Sequence, residues 1–257
     1  MTDVIPVFSE PSPRVNRIPL DRPWVWLERG WSDLTRVPSV SLAYGAVLAL
    51  VSMILTAGLA LANLYYLILP LAAGFFLVAP LLATGLYEIS RRLESGAPAS
   101  LDDALRAWRR NPVQIGLMGL VLLLAHLFWV RIATLVFALF FHDQTPGPEA
   151  LVDALLFSQA SLPFLITGTL IGSVFSATVF ALSAVSIPML LDRDVNVFTA
   201  IATSWTAVTA NWKPMALWAV LIVFLTGLGI VIFYLGLVIA LPLVGHATWH
   251  AYRDLVA

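Results

Sequence analysis

Long apolar stretches separated by short polar ones set the plan of this chain. The runs near 40–61, 64–87, 115–138 and 163–188 each have about the 20 apolar residues a helix needs to cross roughly 30 Å of hydrocarbon. A fifth run, 215–244, is about 30 apolar residues long and fits one tilted helix or two shorter ones. A β-barrel would show short alternating segments instead. The polar intervals are patterned too. In 21–36, Trp24, Leu27, Trp31 and Leu34 recur at helical spacing, with Arg22, Glu28, Arg29, Asp33 and Arg36 elsewhere on the wheel. In 100–110, Leu101, Ala104, Leu105 and Trp108 form one face and Asp102, Arg106, Arg109 and Arg110 another. Ser100, with Asp103 three residues on, has the form of a capping box. In 197–209, Ile201, Trp205 and Val208 share a face opposite Thr199, Thr203 and Thr206. All three segments are expected to be helices lying in the membrane interface.

The pattern repeats. Segments 27–50 and 101–124 align without gaps, with Leu27/Leu101, Arg36/Arg110, Pro38/Pro112, Gly45/Gly119, Val47/Val121, Leu48/Leu122 and Leu50/Leu124 identical. Asn111 and Asn211, and Leu117 and Leu217, occupy matching points further on. Aligning the second run with the chain end pairs Gly74/Gly236, Pro80/Pro242, Leu81/Leu243 and Arg91/Arg253. Pro188 takes the same place in the fourth run. The repeat resolves 215–250 into two spans, about 214–231 and 234–250, hinged near Tyr234 to Gly236. The expected architecture is all-α: a polytopic transmembrane bundle of about six spans in three hairpin units, 21–90, 100–192 and 196–254, with cytoplasmic interfacial helices. The first hairpin link is only Ala62 and Asn63, which implies a tight turn. Gly168, Gly172 and Ser176 form a row suited to close helix contact. Residues 1–20, with four prolines and scattered charge, are expected to be a flexible cytoplasmic tail ahead of a single membrane domain, 21–257.

Composition agrees. The chain is 60% apolar and 11% charged, against about 25% charged in a soluble domain. A net charge of −1 gives no field that would attract nucleic acid. Without Cys there are no disulfides, thiolate metal sites or iron–sulfur clusters. The first 38 residues contain no apolar signal core, so the first span is expected to direct insertion. Of the 14 Lys and Arg residues, all but Arg131 fall in the tail, the even-to-odd loops or the C-terminal end. Both termini are therefore expected in the cytoplasm. Trp24, Trp26, Trp31, Trp108, Trp205 and Trp212 flank spans on that same side, as interface anchors do.

Candidate chemistry is sparse. His246 and His250, four apart, would face one way on a helix, a spacing compatible with a metal or haem. A third ligand would come from Glu88 or Asp192; the alternative is that both imidazoles simply anchor and cap the helix end. Arg131 is the basic residue inside a span and is either a ligand or lipid-phosphate site, a side chain that snorkels to the headgroups, or a structural pair with Asp143, Glu149 or Asp153. His126 is a proton-relay or haem candidate against a plain buried His. Glu88 is expected to pair with Arg91 and Arg92. Arg91, Arg92, Arg106, Arg109 and Arg110 cluster on one loop, where they bind anionic headgroups or serve topology alone. The prolines of the even spans mark either broken helices around a substrate path or tolerated kinks. No nucleotide, hydrolase or kinase motif is present.

The segments Gly30-Trp-Ser-Asp-Leu, Ser41-Leu-Ala-Tyr-Gly, Leu69-Pro-Leu-Ala-Ala-Gly-Phe, Gly85-Leu-Tyr-Glu-Ile-Ser-Arg-Arg, Pro188-Met-Leu-Leu-Asp-Arg and Gly245-His-Ala-Thr-Trp-His-Ala-Tyr-Arg resemble a bacterial integral-membrane family of unknown function, over about residues 28–254. Some members carry a cytochrome c oxidase subunit label. The resemblance implies a multi-pass inner-membrane protein and brings no catalytic residues. A haem–copper catalytic subunit would need about twelve helices and six His ligands, which four His cannot supply. The favoured reading is a non-enzymatic accessory, without a cofactor, that contacts the bilayer, anionic lipid or a membrane-protein complex. A small-molecule or lipid transporter and a haem or metal protein are the alternatives.

Overall fold

The computed structural model describes residues 13–141, 153 and 155–257. Eleven α-helices occur among them: α1 (Arg22–Arg36), α2 (Pro38–Leu61), α3 (Ile68–Leu82), α4 (Thr84–Glu94), α5 (Leu101–Leu105), α6 (Pro112–Phe140), α7 (Ser161–Ser183), α8 (Ser186–Asp192), α9 (Val197–Ala210), α10 (Trp212–Val231) and α11 (Leu237–Leu255). Proline at the first turn opens α1, α2 and α6, where its missing N–H costs nothing. Ser100 and Asp103 form both halves of a capping box at α5, and the Asn196 side chain caps α9.

Among the described residues five segments are long and apolar enough to cross a membrane: Pro38–Leu61, Pro70–Glu94, Pro112–Phe140, Ser161–Asp192 and Trp212–Val231. The sixth expected span is α11, which is apolar only in its first half. Its second half is buried against protein instead of lipid, so it carries His246, Thr248, Trp249 and Tyr252 inside the fold. The 215–250 stretch does divide in two. The chain turns at 232–236, where Phe233 and Tyr234 take positive φ of 48° and 62°.

Helix breaks in the even spans sit near their prolines. The α3–α4 break at Ala83 follows Pro80, and the α7–α8 break falls at Ala184 and Val185, where Pro188 displaces the carbonyl four residues before it. Local partners satisfy groups at both breaks. The Tyr44 hydroxyl donates to the Leu82 carbonyl, Thr84 donates to the Leu81 carbonyl, and the Val185 N–H donates to Ser204. The kink reading accounts for these contacts.

Packing departs from the hairpin plan in the first unit. The link after α2 is longer than Ala62 and Asn63: Asn63 has φ 58° and a 3₁₀ turn spans Tyr65–Leu67. α3 is thereby carried away from α2 and packs mainly on α6, while α2 packs on α11. The repeat-related glycines mark these contacts. A Cβ on Gly45 would strike the Val238 carbonyl and the Pro242 ring of α11, and one on Gly119 would lie 3.1 Å from Leu81 of α3. Of the small-residue row on α7, Gly172 meets Trp129 while Gly168 faces open space.

The three expected interfacial helices leave most tryptophans of their apolar stripes exposed and pack on the protein largely through other residues. α1 buries Trp26, Gly30, Asp33 and Leu34 and exposes Trp24 and Trp31. α5 and the 3₁₀ turn Ala107–Arg110 bury Ala104 and Ala107 and expose Leu105 and Trp108. α9 buries Val197, Ala200, Thr203, Ser204 and Ala207 and exposes Phe198 and Trp205. Small residues permit close helix contact, and large apolar ones are left for the bilayer. The tail is also less free than its composition implied. Asn16 donates to the Leu255 carbonyl at 2.9 Å, Ala257 donates to Arg14 at 3.0 Å, and Asn211 brackets Asn16 and Ile18. Residues 1–12 lie outside the described residues.

Candidate functional site

Close backbone approach builds the polar end of the molecule. A Cβ on Gly30 would lie 2.7 Å from the Ala247 nitrogen, and one on Gly245 would lie 2.5 Å from Leu86, so α1 and α4 both press on α11. His246 is enclosed between them, fully buried. Its Nε2 lies 2.9 Å from the Ser41 hydroxyl of α2, and its Nδ1 lies 2.8 Å from the Ser90 hydroxyl of α4. Ser90 donates its single proton to Asp33 of α1 at 2.7 Å. It must therefore accept from His246, which places the proton on Nδ1. In the neutral ring Nε2 then accepts from Ser41. His250, one turn on, donates from Nε2 to the same Asp33 oxygen at 2.8 Å. Burial alone would raise the Asp33 carboxyl, but the hydrogen bonds from His250 and then Ser90 outweigh it and hold it below the usual carboxylate range.

A second cluster surrounds Glu88, buried on α4. Arg91 binds it through two nitrogens at 2.8 Å each, Arg92 at 3.0 Å, and Arg110 lies 3.9 Å away. Arg92 also reaches Asp103 at 2.7 Å. The Ser100 hydrogen bond, above all, with Arg92 nearby, keeps the Asp103 carboxyl low. A third cluster closes α11. Trp249 donates to Glu94, Tyr252 donates to Asp192 at 2.8 Å, and Arg253 reaches Glu94 at 3.2 Å. A cavity of about 240 Å³ lies among Arg91, Glu94, Asp192, Trp249 and Arg253. At the other corner Asp254 accepts from Arg22 and from the Trp26 indole, at 2.5 and 2.6 Å.

His246 and His250 do share a helix face, yet their nitrogens do not converge. Both ring nitrogens of His246 point at serines, and His250 Nε2 points at Asp33. The third ligands considered are elsewhere: Glu88 holds arginines and Asp192 holds Tyr252. No group of three or more His, Cys, Asp or Glu is placed to hold a metal among the described residues. As hydrogen-bonded here, His246 has no ring nitrogen free for a metal or haem. The ion pair expected of Glu88 is present.

Arg131 is exposed on α6 and joins none of the ion pairs among the described residues. Asp143 and Glu149 lie outside them, and Asp153 is exposed. His126 packs on Gly74 of α3, its Nδ1 buried without a partner among the described residues, beside Trp129, which donates to the Pro70 carbonyl at 3.0 Å. The arginine cluster is largely spent inside the protein. Arg91 and Arg92 hold Glu88, Arg106 holds Asp102, and Arg110 donates to the Leu191 carbonyl. Arg109 instead lies over the Trp108 ring, at 5.6 Å.

No curated protein and no solved structure matches the chain. Residues 67–192, from the turn before α3 to the end of α8, match the family model described as "Predicted integral membrane protein (DUF2189)". Across that segment the chain is similar to this family of integral membrane proteins.

Proposed function

We propose that the protein is a non-enzymatic component of a bacterial inner membrane that works through contact with lipid and with neighbouring membrane proteins. One observation carries this reading: the outer face of the polar end. Trp24, Trp31, Leu105, Trp108, Phe198, Trp205 and Trp212 are all exposed there, and Arg109 and Lys213 lie over Trp108 and Trp212. Aromatic and cationic side chains in that combination suit the headgroup layer. The buried polar groups point the other way. Asp33, Ser41, Ser90, His246 and Glu88 are satisfied by one another or by arginine and present no free nucleophile. The positive-inside rule assigns this end to the cytoplasm.

The test is purification from native membranes in lipid discs, with identification of the lipids and proteins retained. Anionic lipid, or a stable protein partner, is expected in stoichiometric amount. An oxidase subunit among the partners would supply the first support for that label. Recovery of the protein alone, with only bulk lipid around it, would overturn the reading.

A further inference from the structure

A second cavity, about 400 Å³, opens where α2, the α3–α4 break, α5 and the start of α6 meet. That is within the roughly 300–1,000 Å³ typical of small-molecule sites. Its walls are apolar: Tyr44, Leu81, Leu82, Leu105, Trp108 and Ile115. Glycines shape it. At Gly85 the Tyr44 ring and the Ala104 carbonyl come so close that a Cβ would lie 2.6 and 2.8 Å from them, which closes one wall. Gly119 meets Leu81, but a Cβ on Gly116 would find nothing within 4 Å. The trough therefore stays open along α6 from Pro112 to Gly119, about 10 Å of helix. At its mouth Leu105 and Trp108 are 60% and 52% exposed.

The surroundings say what covers it. The neighbouring outward residues of α2 and α6, among them Val47, Leu50, Leu117 and Leu120, are exposed and apolar, as lipid-facing positions are. A void opening on that surface is filled from the bilayer. The mouth lies at the interfacial turn that carries Arg109, a cation facing no carboxylate among the described residues, whereas Arg106 is paired with Asp102 at 2.9 Å. We propose that this crevice holds one acyl chain of an anionic phospholipid, with the lipid phosphate at Arg109. The proposal rests on the lipid-contact reading above and gives it a place.

The experiment uses the full chain in lipid discs containing phosphatidylglycerol or phosphatidylcholine, each with a photoreactive acyl chain, followed by peptide mapping. Label is expected to concentrate on 81–85 and 105–119. Gly116→Leu fills open space, so it should leave the melting temperature unchanged and cut this label severalfold. Gly227→Leu, at another glycine with open space around it, should not. Arg109→Gln should lower labelling by phosphatidylglycerol and leave phosphatidylcholine unchanged. Label spread evenly over the exposed faces of α2 and α6, or indifferent to Gly116→Leu, overturns the crevice. An Arg109→Gln protein that still prefers phosphatidylglycerol overturns the headgroup contact. If native anionic lipid co-purifies with the Gly116→Leu protein while the crevice label never appears, the crevice fails and the broader reading stands. If wild-type protein retains neither anionic lipid beyond the bulk nor a protein partner, both fail.

Discussion

Asp33 brings the negative charge to the buried network, and its consequences can be measured. Its carboxylate accepts from Ser90 and His250 in a site where it is 5% exposed. Removing the charge leaves both donors facing a weaker acceptor, so Asp33→Asn should cost about 2–4 kcal/mol. The pH dependence has a definite sign. A carboxyl held below its ordinary value in the folded state stabilises the fold above about pH 4 and loses that contribution as pH falls through its folded value. Melting temperatures from pH 7 down to 3 should therefore show an acid limb in wild type that is blunted in Asp33→Asn. Equal acid limbs would mean that other carboxyls dominate. Little of this was legible in the chain. The histidine pair was visible from its spacing. Ser41 and Ser90 were not, because a hydroxyl on an apolar helix usually bonds its own backbone, and their partner is 205 and 156 residues away. Asp33 looked like one more charge on a solvated face.

At the scale of the helix, the periods and the exposed tryptophans were legible in the chain, and the residues through which each helix packs on the protein were not. In water the large apolar stripe of a helix faces the protein core; beside a membrane it can face lipid. The Trp24 and Trp31 side of α1 is exposed, and the side that packs is Trp26, Gly30 and Asp33. The visible trace of that side was Gly30, four residues after Trp26 and three before Asp33. Its role can be tested by volume. Gly30→Val must push α1 away from the Ala247 backbone, which cannot yield as a flexible side chain would. A loss of about 1–3 kcal/mol is expected, together with weakening of the Trp26 contact to Asp254. Gly58→Val, with nothing within 4 Å, is the matched control and should stay near neutral. Thermal unfolding of the two in the same detergent decides the matter; equal melting temperatures would show that the α1–α11 contact does not hold the polar end.

For the whole molecule, two independent lines bring the ends of the chain together. The charge count assigns the tail, the even-to-odd loops and the C-terminal end to one side. The hydrogen bonds join Asn16 to Leu255, Arg22 to Asp254 and Arg253 to Glu94, which requires α11 to return to the end where α1 begins. Five helices among the described residues qualify as spans by length and apolarity, and an odd number alone would separate the termini. Counted as a sixth crossing, α11 would restore the parity. It is too polar to qualify, because its inner half is solvated by Ser41, Ser90 and Asp33 instead of by lipid. The native chain has no Cys, so single cysteines report cleanly. Arg17→Cys and Asp194→Cys, both exposed at the polar end, should resist an impermeant thiol reagent added to intact cells without their outer membrane, and Ala62→Cys should react. A fluorescent protein fused after Ala257 should be bright, as it is when it folds in the cytoplasm. A bright fusion with Arg17→Cys labelled from outside would mean an odd number of crossings. It would also separate the tail from the C-terminal residues that it pairs with, so the β-bridge between Val15 and Val256 would have to be absent in the membrane.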